Sequence, residues 1–391
     1  MADYKTKDIR NIALLGHGSE GKTTLTEAML FAAGMIDRQG KVEAGTTVTD
    51  FDAEENKRGI SISAATAPVE WKGTKMNLID VPGYFDFIGE MMGPLRVVET
   101  AAIVVGAVSG LTVGAEKAWA YAKKNNVCRM FIVNRMDAEN ANYEKTIEQL
   151  REKFGSSVVP LMLPIGEGAK FTGVVNVLEN KAYSGKGKDL KEIPVPADMA
   201  PAIENALAEI TEAAAEAVDE LLEKYFEEGE LSHEEILQGF SAGMKSGSIV
   251  PAVPVSAVTG VGVAKLLDVM SAYLHSPEEA SFAGINPKND EEIIREGKTS
   301  EPFSAFVFKT IADPFVGKLS MLRVCSGTLT SGTALYNSSC EKTEKAGGLF
   351  LLRGKNQLSV SQVSAGDIAA LSKLQFTNTG DTLCDAANPI R

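Results

Sequence analysis

Between residues 16 and 24 the chain reads GHGSEGKTT, which fits the spacing G-x-x-x-x-G-K-[ST]. Glycines at the two ends of such a loop let backbone N–H groups close around phosphate oxygens. Gly16, His17, Gly18, Ser19, Glu20 and Gly21 would form that cradle, and Lys22 would reach the β- and γ-phosphates. Thr23 would ligate Mg2+ and Thr24 would continue the phosphate contacts. The N-terminus of the following helix would add positive potential. The chemistry predicted is binding of a nucleoside triphosphate, with Lys22 also placed to stabilise charge during phosphoryl transfer.

Four further stretches follow. Asp80-Val81-Pro82-Gly83 comes directly after an apolar run, where the aspartate is expected to hold Mg2+ through water and the Gly83 N–H to sense a γ-phosphate. Arg58-Gly59-Ile60-Ser61 lies in the loop after the first helix, with Ser61 placed to ligate Mg2+ only when the γ-phosphate is present. Asn134-Arg135-Met136-Asp137 ends another apolar run. The Asp137 carboxylate can accept both guanine N1–H and N2–H2, a donor pair that adenine lacks, and the planar guanidinium of Arg135 can lie along the purine. Ser256-Ala257 follows the last apolar run, where a backbone N–H would contact guanine O6. In this order the stretches favour GTP or GDP with Mg2+ over ATP. Tyr84 stands directly after Gly83, where a side chain that orients the attacking water is needed.

The elements that must hold these residues alternate. The run 9–15 predicts a strand and 22–33 a helix, followed by strands over 62–71 and 75–81 joined by the turn Lys72-Gly73-Thr74. The stretch AAIVVGAV, 101–108, is apolar throughout, as in a parallel sheet covered on both faces, and a helix over 113–124 leads to another such strand over 128–134. This is a doubly wound α/β domain, predicted over 1–280. The alternation breaks over about 158–248, predicted as an inserted α+β subdomain with a small hairpin over 171–183 and one long helix over 197–229. A strand over 249–256 and a helix over 263–275 resume the pattern. Residues 281–300, within a polar stretch broken by proline and glycine, are predicted as a linker. Short alternating runs over 301–391 predict an antiparallel β-barrel of about six strands.

Composition excludes several classes. The chain has 391 residues, more than one hydrophobic core usually serves, and no apolar run long enough to span a membrane. Four scattered cysteines show no CxxC spacing and fit a reducing cytosol, and three scattered histidines argue against a zinc site. The net charge of −13 argues against generic nucleic-acid binding. That charge is local: residues 198–235 hold thirteen acidic side chains against the single basic Lys224. In the predicted helix Glu209, Glu212, Glu216, Glu220, Glu223 and Glu227 share the face opposite Ile203, Leu207, Ile210, Ala214, Val218, Leu221 and Tyr225.

With these stretches in order the chain resembles the translational GTPases, and most of all elongation factor G and its paralogues. GKTTLTEAML, RGISISAA, DVPGYFDF, NRMD and KFTGVVNVLENKAY carry the resemblance. It implies a GTPase domain with an inserted subdomain and then a second, barrel domain. It also implies GTP hydrolysis on the ribosome and docking of the acidic inserted helix onto the ribosomal stalk protein, in the cytoplasm. Ribosome-protection proteins and peptide release factor three share this arrangement. Elongation factor G continues for three further domains, so the chain is expected to be a piece of a longer protein. Three positions depart from the family pattern. Tyr84 stands where histidine orients the attacking water, Ser19 where an aspartate supports a monovalent cation, and Gly18 where an apolar residue forms half of a gate beside the water. The other half of the gate is Ile60. The resemblance makes Lys22, Ile60 and Tyr84 the residues nearest the chemistry, with Gly18 expected to leave room for the tyrosine ring.

Overall fold

The computed structural model describes residues 4–313 and 317–391. Strand β1 (Ile9–Gly16) runs into the glycine loop and then α1 (Lys22–Ala32). The connection over 33–64 contains α2 (Ala53–Arg58) and leads to β2 (Ala65–Trp71) and β3 (Thr74–Asp80). Lys72 and Gly73 both take positive φ, 47° and 85°, as a tight hairpin turn requires. Next come α3 (Met92–Leu95), β4 (Thr100–Gly106), α4 (Val113–Lys124), β5 (Cys128–Asn134), α5 (Tyr143–Phe154) and β6 (Val158–Pro160).

The first domain is built on a seven-stranded sheet. With β11 (Val250–Pro254), which comes later in the chain, its order is β2-β3-β1-β4-β5-β11-β6. Only the edge strand β2 runs antiparallel. β4 is buried along its whole length, which explains its unbroken apolar sequence. The chain leaves β1 for β3 on one side and returns to β4 on the other. The carboxyl ends of β1 and β4 therefore open a crevice at a topological switch point, and the glycine loop lies in it.

Between β6 and β11 lie β7 (Met162–Ile165), β8 (Gly173–Asn176), β9 (Lys181–Ser184) and β10 (Lys191–Ile193), which form a separate antiparallel sheet. Helices α6 (Ala200–Glu216), α7 (Asp219–Glu228) and α8 (His233–Ser246) follow. Two expectations change here. Residues 158–160, assigned by sequence to the insertion, belong to the main sheet as β6, paired in parallel with β11. Three apolar residues are too few to show a period. The single helix expected over 197–229 is two helices, broken at Val218, whose φ of −141° and ψ of 119° are those of a strand. Asp219 and Glu220 then occupy the first turn of α7, where carboxylates favour a helix start.

After α9 (Val263–Tyr273), the stretch expected to be a linker forms a hairpin instead. β12 (Ser281–Ile285) pairs antiparallel with β13 (Glu292–Glu296), and Ile285 exchanges backbone hydrogen bonds of 2.7 and 2.9 Å with Arg391. The strand period was hidden because exposure alternates along both strands while residue type does not: Ala283, Ile285 and Ile294 stand at exposed positions.

The second domain is all β. β14 (Ser304–Asp313), β15 (Gly317–Ser326), β16 (Thr328–Thr330), β17 (Ala334–Asn337), β18 (Lys342–Lys345), β19 (Leu349–Arg353), β20 (Asn356–Ser359), β21 (Gln362–Ser364), β22 (Ile368–Ser372) and β23 (Thr382–Cys384) follow in sequence. Eight form one antiparallel sheet in the order β18-β17-β23-β14-β15-β22-β19-β20, and β16 pairs with β21. Both sheets point into one core around Val307, Leu322, Val324, Leu329, Leu335, Val363 and Leu371, as a barrel requires.

The barrel is docked onto the first domain. Leu319, Met321, Leu352, Ile368 and Ala370 on its outer face join the first domain's core. Thr66 of β2 donates to the Leu352 carbonyl at 3.0 Å and accepts from Gly354 N–H at 2.9 Å. Lys309 adds a polar tie across the seam, with Nζ 2.6 Å from Glu90 Oε2 and 2.7 Å from the Ala64 carbonyl.

Candidate functional site

Gly18, Ser19, Gly21, Lys22, Thr23, Thr24, Gly83, Tyr84 and Arg135 line one cavity of about 240 Å³ together with Val42, Glu43, Asp50, Gly59, Ile60 and Ser61. The sequence put these residues on four separate loops, and the crevice above β1 gathers them. Gly21 takes a φ of 84° and so turns the loop into the start of α1. The Lys22 ammonium donates to the carbonyls of His17 at 2.7 Å and Gly16 at 3.2 Å. Burial holds it well below the usual lysine range, at about 8, against the pull of Asp80, Glu20 and Asp50. An anionic phosphate beside it would raise it again and hold the ammonium form more firmly.

The residues expected at the metal converge. Thr23 Oγ1 donates to Asp80 Oδ2 at 2.8 Å and lies 3.1 Å from Ser61 Oγ. Two contributors escaped the sequence reading. Thr49 Oγ1 donates to Asp80 Oδ2 at 2.7 Å, and the buried Asp50 faces Asp80. Burial, and after it the neighbouring Asp80 charge, pushes the Asp50 carboxyl up to about 7, and burial raises Asp80 too. Asp80 Oδ1 is buried with no partner among the described residues. Oxygen donors, an orphaned carboxylate oxygen and two mutually repelling buried acids suit a hard divalent cation, so the residues fit Mg2+. Thr23, Ser61 and Asp80 would hold it with Asp50 nearby, and it would neutralise the pair and the phosphate oxygens.

Asp50 lies in the long connection over 33–64, which has no periodicity. Its length was the available signal, since long loops in compact domains commonly carry function. Glu55 organises the end of that connection. It completes a capping box with Asp52 and accepts from Ile62 N–H at 3.0 Å and Ser63 N–H at 3.1 Å, which sets Ser61 in place.

A carboxyl raised from 3.8 to about 7 costs the folded chain stability as pH climbs through that interval, because the unfolded chain gives up its proton first. Asp50→Asn is therefore expected to raise the melting temperature of the nucleotide-free, metal-free protein at pH 8 by about 2–4 °C. The same change should weaken Mg2+-dependent binding of a fluorescent GTP analogue. Thermal denaturation in EDTA and a binding titration check the two halves, and a lower melting temperature counts against the buried repulsion.

Of the residues expected at the base, Arg135 lines this cavity, whereas Asn134, Asp137, Ser256 and Ala257 do not. Asn134 ties two loops together: its Nδ2 donates to the Glu20 carbonyl at 2.9 Å, and its Oδ1 accepts from Ala257 N–H at 3.0 Å. The Ala257 amide, expected to face guanine O6, is thus bonded to Asn134 here. Ser256 is fully buried and its Oγ accepts from Thr259 N–H at 3.1 Å, so its side chain shapes the loop. Arg135, at a φ of 62°, donates to the Ser19 carbonyl. Asp137 is half exposed, and its carboxylate meets no donor among the described residues.

Glu20 and His17 point away from the phosphate cradle. The Glu20 carboxylate accepts from Ser109 Oγ at 2.9 and 3.0 Å, and the His17 ring lies 5.6 Å from that of Phe85. Val81 is buried and donates its N–H to the Leu14 carbonyl at 3.3 Å, which with the buried Pro82 fixes the chain leaving β3. Tyr84 has its Oη 2.9 Å from Ser19 Oγ.

Together these features define a P-loop nucleotide-binding domain of the GTPase class. The family model described as "Elongation factor Tu GTP binding domain" matches residues 7–276, and "Elongation factor G domain 2" matches 302–386. The chain belongs to the translational GTPases of elongation factor G type. It is similar to the crystal structure of a protein from Thermus thermophilus, with 32% identity and a TM-score of 0.86 over 98% of this chain. This chain spans about 55% of the length of that protein.

Proposed function

We propose that this chain binds GTP and GDP with Mg2+ and hydrolyses GTP on the ribosome, during translocation or a related step of protein synthesis in the cytoplasm. The observation that supports this best is the convergence of Lys22, Thr23 and Ser61 in one cavity roofed by the 42–61 segment, with the buried Asp80 bonded to Thr23. Such a segment can be ordered by a γ-phosphate and released after hydrolysis. The test is multiple-turnover phosphate release by the full-length protein with and without ribosomes. Strong stimulation is expected, and turnover that ribosomes leave unchanged overturns the reading.

A second reading is a factor that binds the ribosome with GTP but hydrolyses it weakly. The observation favouring it is the hydrogen bond between Tyr84 and Ser19, which replaces the family's histidine and aspartate. The same assay separates the two. A ribosome-protection or release-factor-three role fits the same arrangement of two domains.

In the proposed reading the acidic inserted helices meet the stalk of the large ribosomal subunit. Glu212, Glu216, Glu220 and Glu223 are exposed on α6 and α7, whereas Glu209 is paired with Arg151 of α5 and is not free to take part. Phe226 stands 80% exposed on the same helix as Glu220 and Glu223. Reversing Glu216, Glu220 and Glu223 to lysine is expected to slow ribosome-stimulated turnover about tenfold at low salt, with a smaller effect at high salt. Nucleotide affinity should not change. Equal turnover by the variant and the parent excludes this surface. Among the described residues no helix is long and apolar enough to cross a membrane.

A further inference from the structure

We infer that the departures at Gly18, Ser19 and Tyr84 form one water-orienting unit, in which Ser19 is a positioning residue that aims the phenol of Tyr84 at the terminal-phosphate end of the cavity. This rests on the GTPase reading above and adds a role for Ser19 that the sequence did not suggest.

Three contacts carry it. The hydroxyls of Ser19 and Tyr84 are 2.9 Å apart and tie the tip of the glycine loop to the segment after β3. A Cβ added at Gly18 would lie 2.7 Å from the Tyr84 ring Cζ and 2.8 and 2.9 Å from the two Cε atoms. The ring thus rests on the bare Gly18 backbone, and any side chain there would displace it. Ser19 takes a φ of 65°, a conformation that a residue with a Cβ adopts at a cost. Arg135 donates to the Ser19 carbonyl and holds it in that conformation. Glycine at 18, serine at 19, tyrosine at 84 and arginine at 135 are therefore one connected arrangement.

The chemistry follows from the hydroxyl inventory. A phenol has one proton and acceptor lone pairs. When Tyr84 donates its proton to Ser19 Oγ, its oxygen presents only lone pairs to the cavity. It then accepts an O–H of the attacking water and turns the water oxygen toward the phosphorus. No proton passes to the phenol, so the group acts by orientation. Without the Ser19 hydroxyl the phenol proton is free to rotate into the cavity, and that orientation is lost.

The test uses the full-length protein with ribosomes and compares Tyr84→Phe, Ser19→Ala, Ser19→Gly and the Ser19→Ala/Tyr84→Phe pair. Tyr84→Phe is expected to lower kcat about 100-fold, within the range of a water-orienting group. Each Ser19 variant should lower it about tenfold, the worth of one hydrogen bond. KM and the affinity for a fluorescent GTP analogue should stay within about twofold, as expected when only the transition state is affected. Because glycine adopts the Ser19 backbone freely, an equal loss in the alanine and glycine variants assigns it to the hydroxyl. The pair should be no slower than Tyr84→Phe alone, since Ser19 acts through Tyr84. An unchanged or faster Tyr84→Phe enzyme, or losses that multiply in the pair, overturns the inference. GTP binding without turnover in the parent protein overturns it too and leaves nucleotide binding standing. Failure to bind the analogue at all overturns both readings.

Discussion

Asp137→Asn is expected to turn this chain from a guanine binder into a xanthine binder. The Asp137 carboxylate is half exposed beside the loop that carries Arg135 and meets no other donor among the described residues, so both its oxygens are available to a base. In the proposed reading they accept guanine N1–H and N2–H2. Asparagine keeps one acceptor and replaces the other by a donor, which opposes the guanine amino group and matches the carbonyl that xanthine has in its place. Two hydrogen bonds to a charged group contribute about 1.5–3 kcal/mol each, so GTP affinity should fall about 10²–10⁴-fold while XTP affinity rises. Competition of GTP, XTP and ATP against a fluorescent nucleotide measures this. An unaltered preference for GTP removes Asp137 from base recognition. Lys22, Thr23 and Asp80 are untouched by the change, so phosphate and metal binding provide an internal control.

The second large effect is expected at the seam between the domains. The Lys75 ammonium, 2% exposed, lies 2.6 and 2.8 Å from the two carboxylate oxygens of Asp367 in the barrel. Asn77 donates to the same carboxylate at 2.9 Å and to Asn11 at 2.8 Å. Asn11 donates to Glu99 at 3.0 Å and to the Gly366 carbonyl at 2.8 Å. Glu99 pairs with Arg323 of β15, and burial still holds the Glu99 carboxyl above its ordinary range despite that partner. Asp367→Ala leaves the Lys75 charge buried and unpaired, at a cost of about 3–5 kcal/mol. Replacing both by apolar residues of similar size, Lys75→Met with Asp367→Leu, should cost far less, because no charge is stranded. Denaturant unfolding of the single and paired variants checks this. A loss below about 1 kcal/mol in Asp367→Ala means the ammonium reaches water there and the seam is looser than the distances imply.

Much of the phosphate end was legible because its parts are local. The glycine loop, Lys22 and Thr23 are consecutive, and the strand before them and the helix after them follow from apolar runs a few residues long. Asp80 and Asn134 were legible for the same reason, each standing at the end of a buried strand. The missed elements lacked a period: β6 has only three residues, β12 and β13 are half exposed, and the break at Val218 interrupts a pattern whose apolar spacing continues through it. Asp50 was missed because it sits in an irregular loop and meets Asp80 thirty residues later.

The sequence by itself determined most of the strand and helix order of the first domain and the glycine loop between its first strand and helix, since each depends on neighbours in the chain and on a single burial pattern. Only the tertiary structure decided which side chains meet across long separations. Ser19 bonds Tyr84 across 65 positions and Lys75 meets Asp367 across 292, and in neither case does either partner's own surroundings in the sequence name the other. Tyr84 by itself is a missing histidine. Placed against the Gly18 backbone and bonded to Ser19, it is one part of an arrangement that exists only when the glycine loop and the end of β3 are brought together over the same cavity.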